Sequence, residues 1–363
     1  MFICTLLFLV STNYTFEFGI FHLMIFQFTL FCYATAFWAL GYIYAINKGN
    51  TLFFIFIAMS IFYSYYKKLP GVDKLMEIVL YSGYTFIIYA VFFIGVGRIA
   101  SMNADSSRYV SGLANLNTVG MLAATTILIN FYYFLEGKFR RLFLLAIPAL
   151  SIIAVSQSRK AIFMLVIGTL LLYLLKNLRM KKDNLLPVLR FFFFLMLVIA
   201  AFAFLAQTDM FAGTMNRLDG LIASLTGEGS VDSSTSKREF MRQVGWIQFS
   251  RTPLLGIGIG CARIQLNKAM DIDGYLHCNY AELAADGGIV GLISYYIMFL
   301  YVLFKEFKYF KVDNMAFLMV TLIFIRLVTD WGMVSYYNKS TYFWLMIYYL
   351  HLRSCQIKYP HIK

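Results

Sequence analysis

Apolar runs of roughly 17 to 25 residues, each long enough to cross a bilayer core as a helix, fill most of this chain. In lipid only a helix or a closed barrel satisfies its own backbone groups, so such runs admit very few folds. They read as spans near 20–46, 51–66, 76–97, 117–135, 142–157, 161–175, 188–206, 279–304, 314–333 and 338–352, with residues 1–13 as an eleventh. The start, MFICTLLFLVSTNYTF, has no basic segment and no small-residue cleavage site, so it reads as membrane rather than as a signal peptide. With 61% hydrophobic and 13% charged residues the chain cannot cover itself as a water-soluble domain does. The predicted fold is an all-α polytopic membrane protein of about 10–11 transmembrane helices.

Thirty-one Lys and Arg against eighteen Asp and Glu give a net charge of +13. In a soluble protein that excess would point to nucleic acid; here the basic residues gather between apolar runs, which excludes a nucleic-acid partner and fits the positive-inside pattern. Lys67, Lys68 and Lys74; Lys138, Arg140 and Arg141; Lys176, Arg179, Lys181, Lys182 and Arg190; and Lys305, Lys308 and Lys311 occupy every second connection. Those connections read as cytoplasmic, and the ones near 47–50, 98–116, 156–160, 207–278 and 334–338 as external. The C-terminus, with Arg353, Lys358 and Lys363, returns to the cytoplasmic side.

Composition divides the chain into helices over 1–206, one large extracytoplasmic loop over 207–278, and helices with a cytoplasmic tail over 279–363. The loop carries seven basic and seven acidic residues, with Gly, Ser and Thr where the spans have Phe and Leu. Ser236 followed by Glu239 has the form of a capping box and predicts a helix over KREFMRQVGWIQFSR that ends before Pro253. On it Phe240, Val244 and Ile247 share one face, and Arg238 and Arg242 another. Cys4, Cys32, Cys261, Cys278 and Cys355 follow no metal-ligand spacing, and a Cys261–Cys278 bridge is the one pairing open to the loop.

Several residues of this polar region are suited to chemistry. Gly256, Gly258 and Gly260 alternate as in a phosphate-binding loop, but no Walker lysine follows, so a re-entrant turn is the plainer reading. His277, at the outer mouth of the next span, is the residue type that takes a proton near neutral pH. Arg159, in SQSRKA, stands at an external junction, where a basic residue is unusual; it is either a headgroup anchor or a fork of donors for a diphosphate, with Arg238 and Arg242 as partners. Glu282 and Asp286 lie one turn apart inside the span, with Arg326 as a possible counter-charge and Asp330 one turn from it. Asp271 and Asp273 form an Asp-x-Asp of the kind that holds metal in many sugar transferases. Ala281, Ala284, Gly288 and Gly291 make a stripe of small residues that permits close helix contact.

The order of these features resembles the O-antigen polymerase and O-antigen ligase superfamily of bacterial envelope glycosyltransferases. RYVSGLANLNTVGMLAA (108–124) resembles its Arg, Gly and Asn pattern, and SQSRKAIFML (156–165) its Ser-x-Ser-Arg motif. Arg238, fifteen residues before Pro253, stands as the family's loop arginine does ahead of a Pro-Leu-x-Gly-x-Gly turn. HCNYAELAADGGIVG (277–291) resembles its His-x-Asn-Tyr-x-Glu-Leu block. The resemblance implies a GT-C-like, metal-independent, inverting glycosyltransferase without cofactor, acting on a polyprenyl-diphosphate-linked oligosaccharide at the outer face of the bacterial inner membrane. It implies His277 as catalytic base, Arg159 with Arg238 or Arg242 as diphosphate ligands, and Arg108, Asn279, Tyr280 and Glu282 in support. Implied partners are membrane lipids, a chain-length regulator and a flippase.

Two chemically close activities follow: a polymerase joining lipid-linked repeat units into O-antigen, capsule or exopolysaccharide, and a ligase moving a finished glycan to another acceptor. A flippase or transporter is the reading from another class. Such a protein needs polar groups along a path at mid-membrane, whereas these collect at one surface.

Overall fold

The computed structural model describes residues 18–67, 71–101, 115–179, 186–226 and 233–362. Among these the chain forms fourteen α-helices and no strand: α1 Ile20–Ala34, α2 Tyr42–Tyr66, α3 Val72–Ile94, α4 Val96–Ala100, α5 Leu116–Leu135, α6 Ala146–Ser156, α7 Arg159–Arg179, α8 Leu186–Ala206, α9 Asp209–Thr226, α10 Ser233–Arg251, α11 Ala262–Met270, α12 Asn279–Tyr309, α13 Met315–Thr329 and α14 Lys339–Lys358. They divide between two compact units, the first of Met1–Val72, Ser236–Tyr309 and Arg326–Lys363, the second of Asp73–Thr235 and Phe310–Ile325.

The all-α polytopic class holds: among the described residues seven helices are long and apolar enough to span a membrane, and residues 1–13, expected as a further span, lie outside the described residues. Residues 142–157 yield only the eleven residues of α6 after a 3₁₀ turn over 140–145, and 314–333 only the fifteen of α13. At 1.5 Å per residue these reach about 17 and 23 Å, short of a bilayer core of about 30 Å. The expected external connection at 47–50 is also absent. Asn47, Lys48, Gly49 and Asn50 lie inside α2, and the chain breaks instead near Gly41. Gly49 is required there by packing: a Cβ would stand 2.7 Å from the Tyr33 ring, whose hydroxyl donates to Asn50.

In the first unit α1 buries Phe21, Ile25, Phe28 and Cys32 completely, at the four- and three-residue spacing of one helix face, and turns Leu23, Phe26 and Leu30 outward. Phe28 packs on the rings of Tyr295 and Tyr336, 5.3 and 6.4 Å between centroids. In the second unit small residues let α3, α5 and α7 approach closely. A Cβ on Gly83 would meet Thr126, and one on Gly168 would meet Leu128. Asn130 donates to the Tyr84 hydroxyl at 2.6 Å across the buried α3–α5 contact.

The polar stretch holds α9, α10 and α11 rather than one helix. The proposed start of α10 moves outward: Ser236 is already helical, and the Glu239 carboxylate pairs with Arg242 instead of closing a capping box. Phe240 and Ile247 are exposed, and the buried face is Met241, Gly245 and Gln248. Cys32, Cys261, Cys278 and Cys355 are free thiols, so the Cys261–Cys278 pairing is not made.

The most consequential local feature is a break in α12 at Gly288, whose φ of 61° and ψ of −159° are not helical. The segment after α10 fills it. The N–H groups of Ile289 and Val290 donate to the carbonyls of Pro253 and Leu254 at 2.8 and 3.3 Å, while Ile257 and Gly258 donate to Ala285 and Asp286 at 3.0 and 2.8 Å. Helix and loop thus exchange backbone partners, and no buried group among these is orphaned. Gly288→Ala places a Cβ 2.3 Å from the Leu254 carbonyl oxygen at a left-handed φ, so it is expected to cost about 1–3 kcal/mol. Gly97→Ala, which meets nothing within 4 Å, serves as the control. Thermal denaturation of the two detergent-solubilised variants measures the difference.

Candidate functional site

Three glycines shape the floor of the site. Gly256, Gly258 and Gly260 have φ of 64°, 99° and 81°, and a Cβ at the first two would lie 2.4 Å from the backbone of Asp286 and 2.3 Å from Ala39. Their role is the close backbone approach of a re-entrant turn. The 38–41 break docks on the same turn: the Leu40 N–H donates to the Ile257 carbonyl at 2.9 Å, and the Ile259 N–H to the Thr35 hydroxyl at 3.1 Å.

Asp286 locks this arrangement. Its two carboxylate oxygens accept the N–H groups of Gly260 and Ala262 at 2.7 and 2.6 Å, and it is fully buried. Glu282, one turn earlier, accepts the Leu276 N–H at 2.9 Å. Arg326 is not their counter-charge, because it pairs with Asp330 at 3.1 Å. The cation whose charge acts on both acids is Lys48, placed by the unbroken α2. Its Nζ lies 3.1 Å from the centroid of the Tyr337 ring.

His277 sits above this floor, half-buried, in a left-handed conformation with φ of 56°. For a residue other than glycine that costs of the order of 1 kcal/mol and persists only where the surroundings impose it. They do so from both sides. Leu276 and Cys278 are fully buried in a cluster with Met241, Ala262, Leu266, Ala281 and Ala285. Asn279 follows as a buried hub, its N–H donating to the Asp330 carbonyl at 2.8 Å and its side-chain oxygen accepting from Ser335 and Tyr336 at 2.9 and 3.1 Å. Tyr280 stacks on Tyr296, and its hydroxyl donates to the Leu327 carbonyl, so the two residues after Cys278 fix the backbone. The His277 ring packs on Tyr275, 4.2 Å between centroids.

Around this histidine are groups of both charges and several aromatic faces. Met241 and Gly245 seat α10 against Leu276 and Ala281, and the Arg242 guanidinium lies 5.4 Å from the Trp331 ring. Arg238, which the resemblance aligns with the family's loop arginine, lies one turn earlier on α10. Burial, with the neighbouring Arg238 charge, lowers the Arg242 pKa. Arg263 binds Asp273 through Nε at 2.8 Å and lies 4.9 Å from the Tyr44 ring, so the Asp-x-Asp engages an arginine. Asp271 caps the end of α11 with a left-handed φ of 54°. Burial raises the Cys278 thiol and pushes Cys261 up to about 11, which keeps both protonated and poor nucleophiles near neutral pH.

Arg159 belongs to the second unit. It opens α7 directly after Gln157 and Ser158, and both terminal nitrogens of its guanidinium donate to the Thr235 hydroxyl at 3.2 Å. Ser156, Gln157 and Ser158 are buried, and the Gln157 backbone turns left-handed to separate the two helices. Arg108 lies outside the described residues. Sequence reading missed Lys48, Arg263, Tyr275 and Tyr337. Lys48 was hidden by the loop-like run Asn-Lys-Gly-Asn, whose only helical signal was its continuity with the apolar residues on either side.

Taken together, fold and site define a multi-pass all-α membrane protein with a rigid polar floor under a strained histidine. The sequence profile of the family described as O-Antigen ligase matches residues 142–296, from the approach to α6 through the break in α12. That match supports, for this segment, a likeness to the O-antigen ligase and polymerase superfamily of membrane glycosyltransferase-like enzymes. No curated protein matches the chain.

Asp286→Asn replaces a doubly accepting carboxylate by an amide that can accept at only one atom. Hydrogen bonds to charged groups contribute about 1.5–3 kcal/mol each, so the amides of Gly260 and Ala262 are expected to exchange at least about tenfold faster. Hydrogen–deuterium exchange at these positions checks it, and unchanged protection would show that other contacts hold the turn.

Proposed function

We propose that this protein is a polysaccharide polymerase. It joins polyprenyl-diphosphate-linked oligosaccharide repeat units, of undecaprenyl type, into O-antigen, capsule or exopolysaccharide on the extracytoplasmic side of the bacterial cytoplasmic membrane. The observation that carries this reading is His277, held in a left-handed conformation between two buried neighbours. The family match over residues 142–296 supports glycan transfer, and the run of basic clusters supports the orientation.

In this reading His277 removes the proton from an acceptor sugar hydroxyl. The freed oxygen pair forms a bond to the anomeric carbon of the donor chain, and the bond from that carbon to the diphosphate oxygen breaks with its electrons staying on the diphosphate. One direct displacement inverts the anomeric centre. Guanidinium groups of Arg159 and of Arg238 or Arg242 hold the charge that collects on the leaving group, without needing to protonate it. General-base action supplies about 10²- to 10⁴-fold. Asn279, Tyr280 and Glu282 contribute by fixing the backbone around His277. No step requires a metal or a nucleotide.

The second reading is transfer of a finished lipid-linked glycan to another acceptor, an activity within the same superfamily. Purified protein incubated with its lipid-linked repeat unit, without added metal, separates the two: a product ladder supports polymerisation, and transfer only to a core acceptor supports ligation. His277→Ala is expected to lower transfer at least about 10²-fold with membrane insertion unchanged; normal product formation would remove the general-base role. Arg159→Lys is expected to lose most activity, because an ammonium does not reproduce the planar fork. For orientation, Lys237→Cys on exposed α10 is expected to react with an impermeant thiol reagent in spheroplasts, against a background of buried native thiols among the described cysteines. Labelling only after lysis would reverse the orientation.

A further inference from the structure

The far ends of two helices that carry the candidate site enclose a second polar feature. Helix α2 starts near the Gly260 turn, and α14 starts just after the Ser335–Tyr337 segment that surrounds Asn279 and Lys48. Twenty-five residues of α2 span about 37 Å, so their opposite ends lie roughly a membrane thickness away from His277. There the first unit contains a cavity of about 290 Å³ between the end of α2, the start of α3 and the end of α14.

Lys67, Arg353 and Lys358 line this cavity with the Ser354 hydroxyl, and none of the described lining residues is acidic. Three basic side chains from two helices therefore converge on one concavity together with a hydroxyl. Such residues at helix C-termini also favour the helix dipole, which accounts for their sign, though not for their convergence on a cavity. Its remaining walls are apolar. Leu350 and Val72 are buried at 4% and 7% exposure, whereas Ile357 stands at the rim 70% exposed. A polar anion alone has no use for that apolar wall; an amphiphile with a phosphate head does. The volume, at the small end of ligand sites, suits a headgroup rather than a whole lipid.

We propose that this cavity binds the phosphate group of an anionic lipid headgroup, with Arg353 giving a planar fork, Lys67 and Lys358 giving charge, and Ile357 meeting the first part of an acyl chain. The site is separate from the glycan chemistry and does not depend on it. In the orientation given above it opens to the cytoplasmic leaflet.

Native mass spectrometry of the purified, delipidated protein supplied with phosphatidylglycerol or phosphatidylcholine tests this. The protein is expected to retain phosphatidylglycerol at least about tenfold better, the scale that three basic groups at a surface supply. Lys67→Gln, Arg353→Gln and Lys358→Gln together should remove that preference, whereas Lys67→Arg with Lys358→Arg should keep it. Ser354→Trp, which fills the space with all charges in place, should block retention as well. Displacement of phosphatidylglycerol by millimolar inorganic phosphate, with no lipid preference remaining, would support the same phosphate recognition from a soluble source. Undiminished preference in the triple glutamine variant or in Ser354→Trp, each melting as the parent does, would overturn the site.

Discussion

Backbone amides cannot be left unpaired in a hydrocarbon medium, and the structure turns on how one helix escapes that rule without violating it. At Gly288 the long α12 loses its regular ladder. The carbonyls of Pro253 and Leu254 and the amides of Ile257 and Gly258 take over the open positions, so a loop becomes part of a helix and the helix part of a loop. Everything polar at this end is arranged around that exchange. Asp286 lies in it, three loop glycines are needed to enter it, and the break before α2 closes against it.

The exchange also explains why a histidine with an unfavourable φ is kept. Leu276 is pinned by the core cluster and by Glu282, and Asn279 by Asp330, Ser335 and Tyr336. Between anchors fixed to that extent, the backbone at His277 has little freedom, and its side chain is presented beside Tyr275 in one direction. The general base of the proposed reaction needs that property, since proton transfer depends on geometry before it depends on acidity.

Much of this was legible in the sequence. The apolar runs gave the class of fold, because no other structure accepts them, and the segment 277–291 pointed to the region where helix and loop interlock. The alternating glycines were readable as a turn in which backbone meets backbone. What the sequence hid was tertiary. Asn47 to Asn50 have loop chemistry but are held helical by the Tyr33 ring and hydroxyl, so the break moved to Gly41 and Lys48 moved into the polar floor. Ser236 and Glu239 have capping chemistry but lie beyond the start of α10, where Glu239 engages Arg242. Which of Arg238 and Arg242 is the more enclosed was likewise not legible, because it depends on the packing of Met241 and Gly245. Local residue types carried the wrong message wherever a distant partner had already used them.

The interlock at Gly288 has a mechanical corollary. To swing the 253–260 segment away would strand its own carbonyls at Pro253 and Leu254 and its amides at Ile257 and Gly258, because the α12 groups they leave are i, i+4 partners able to close on each other. That segment therefore behaves as an anvil and not as a gate.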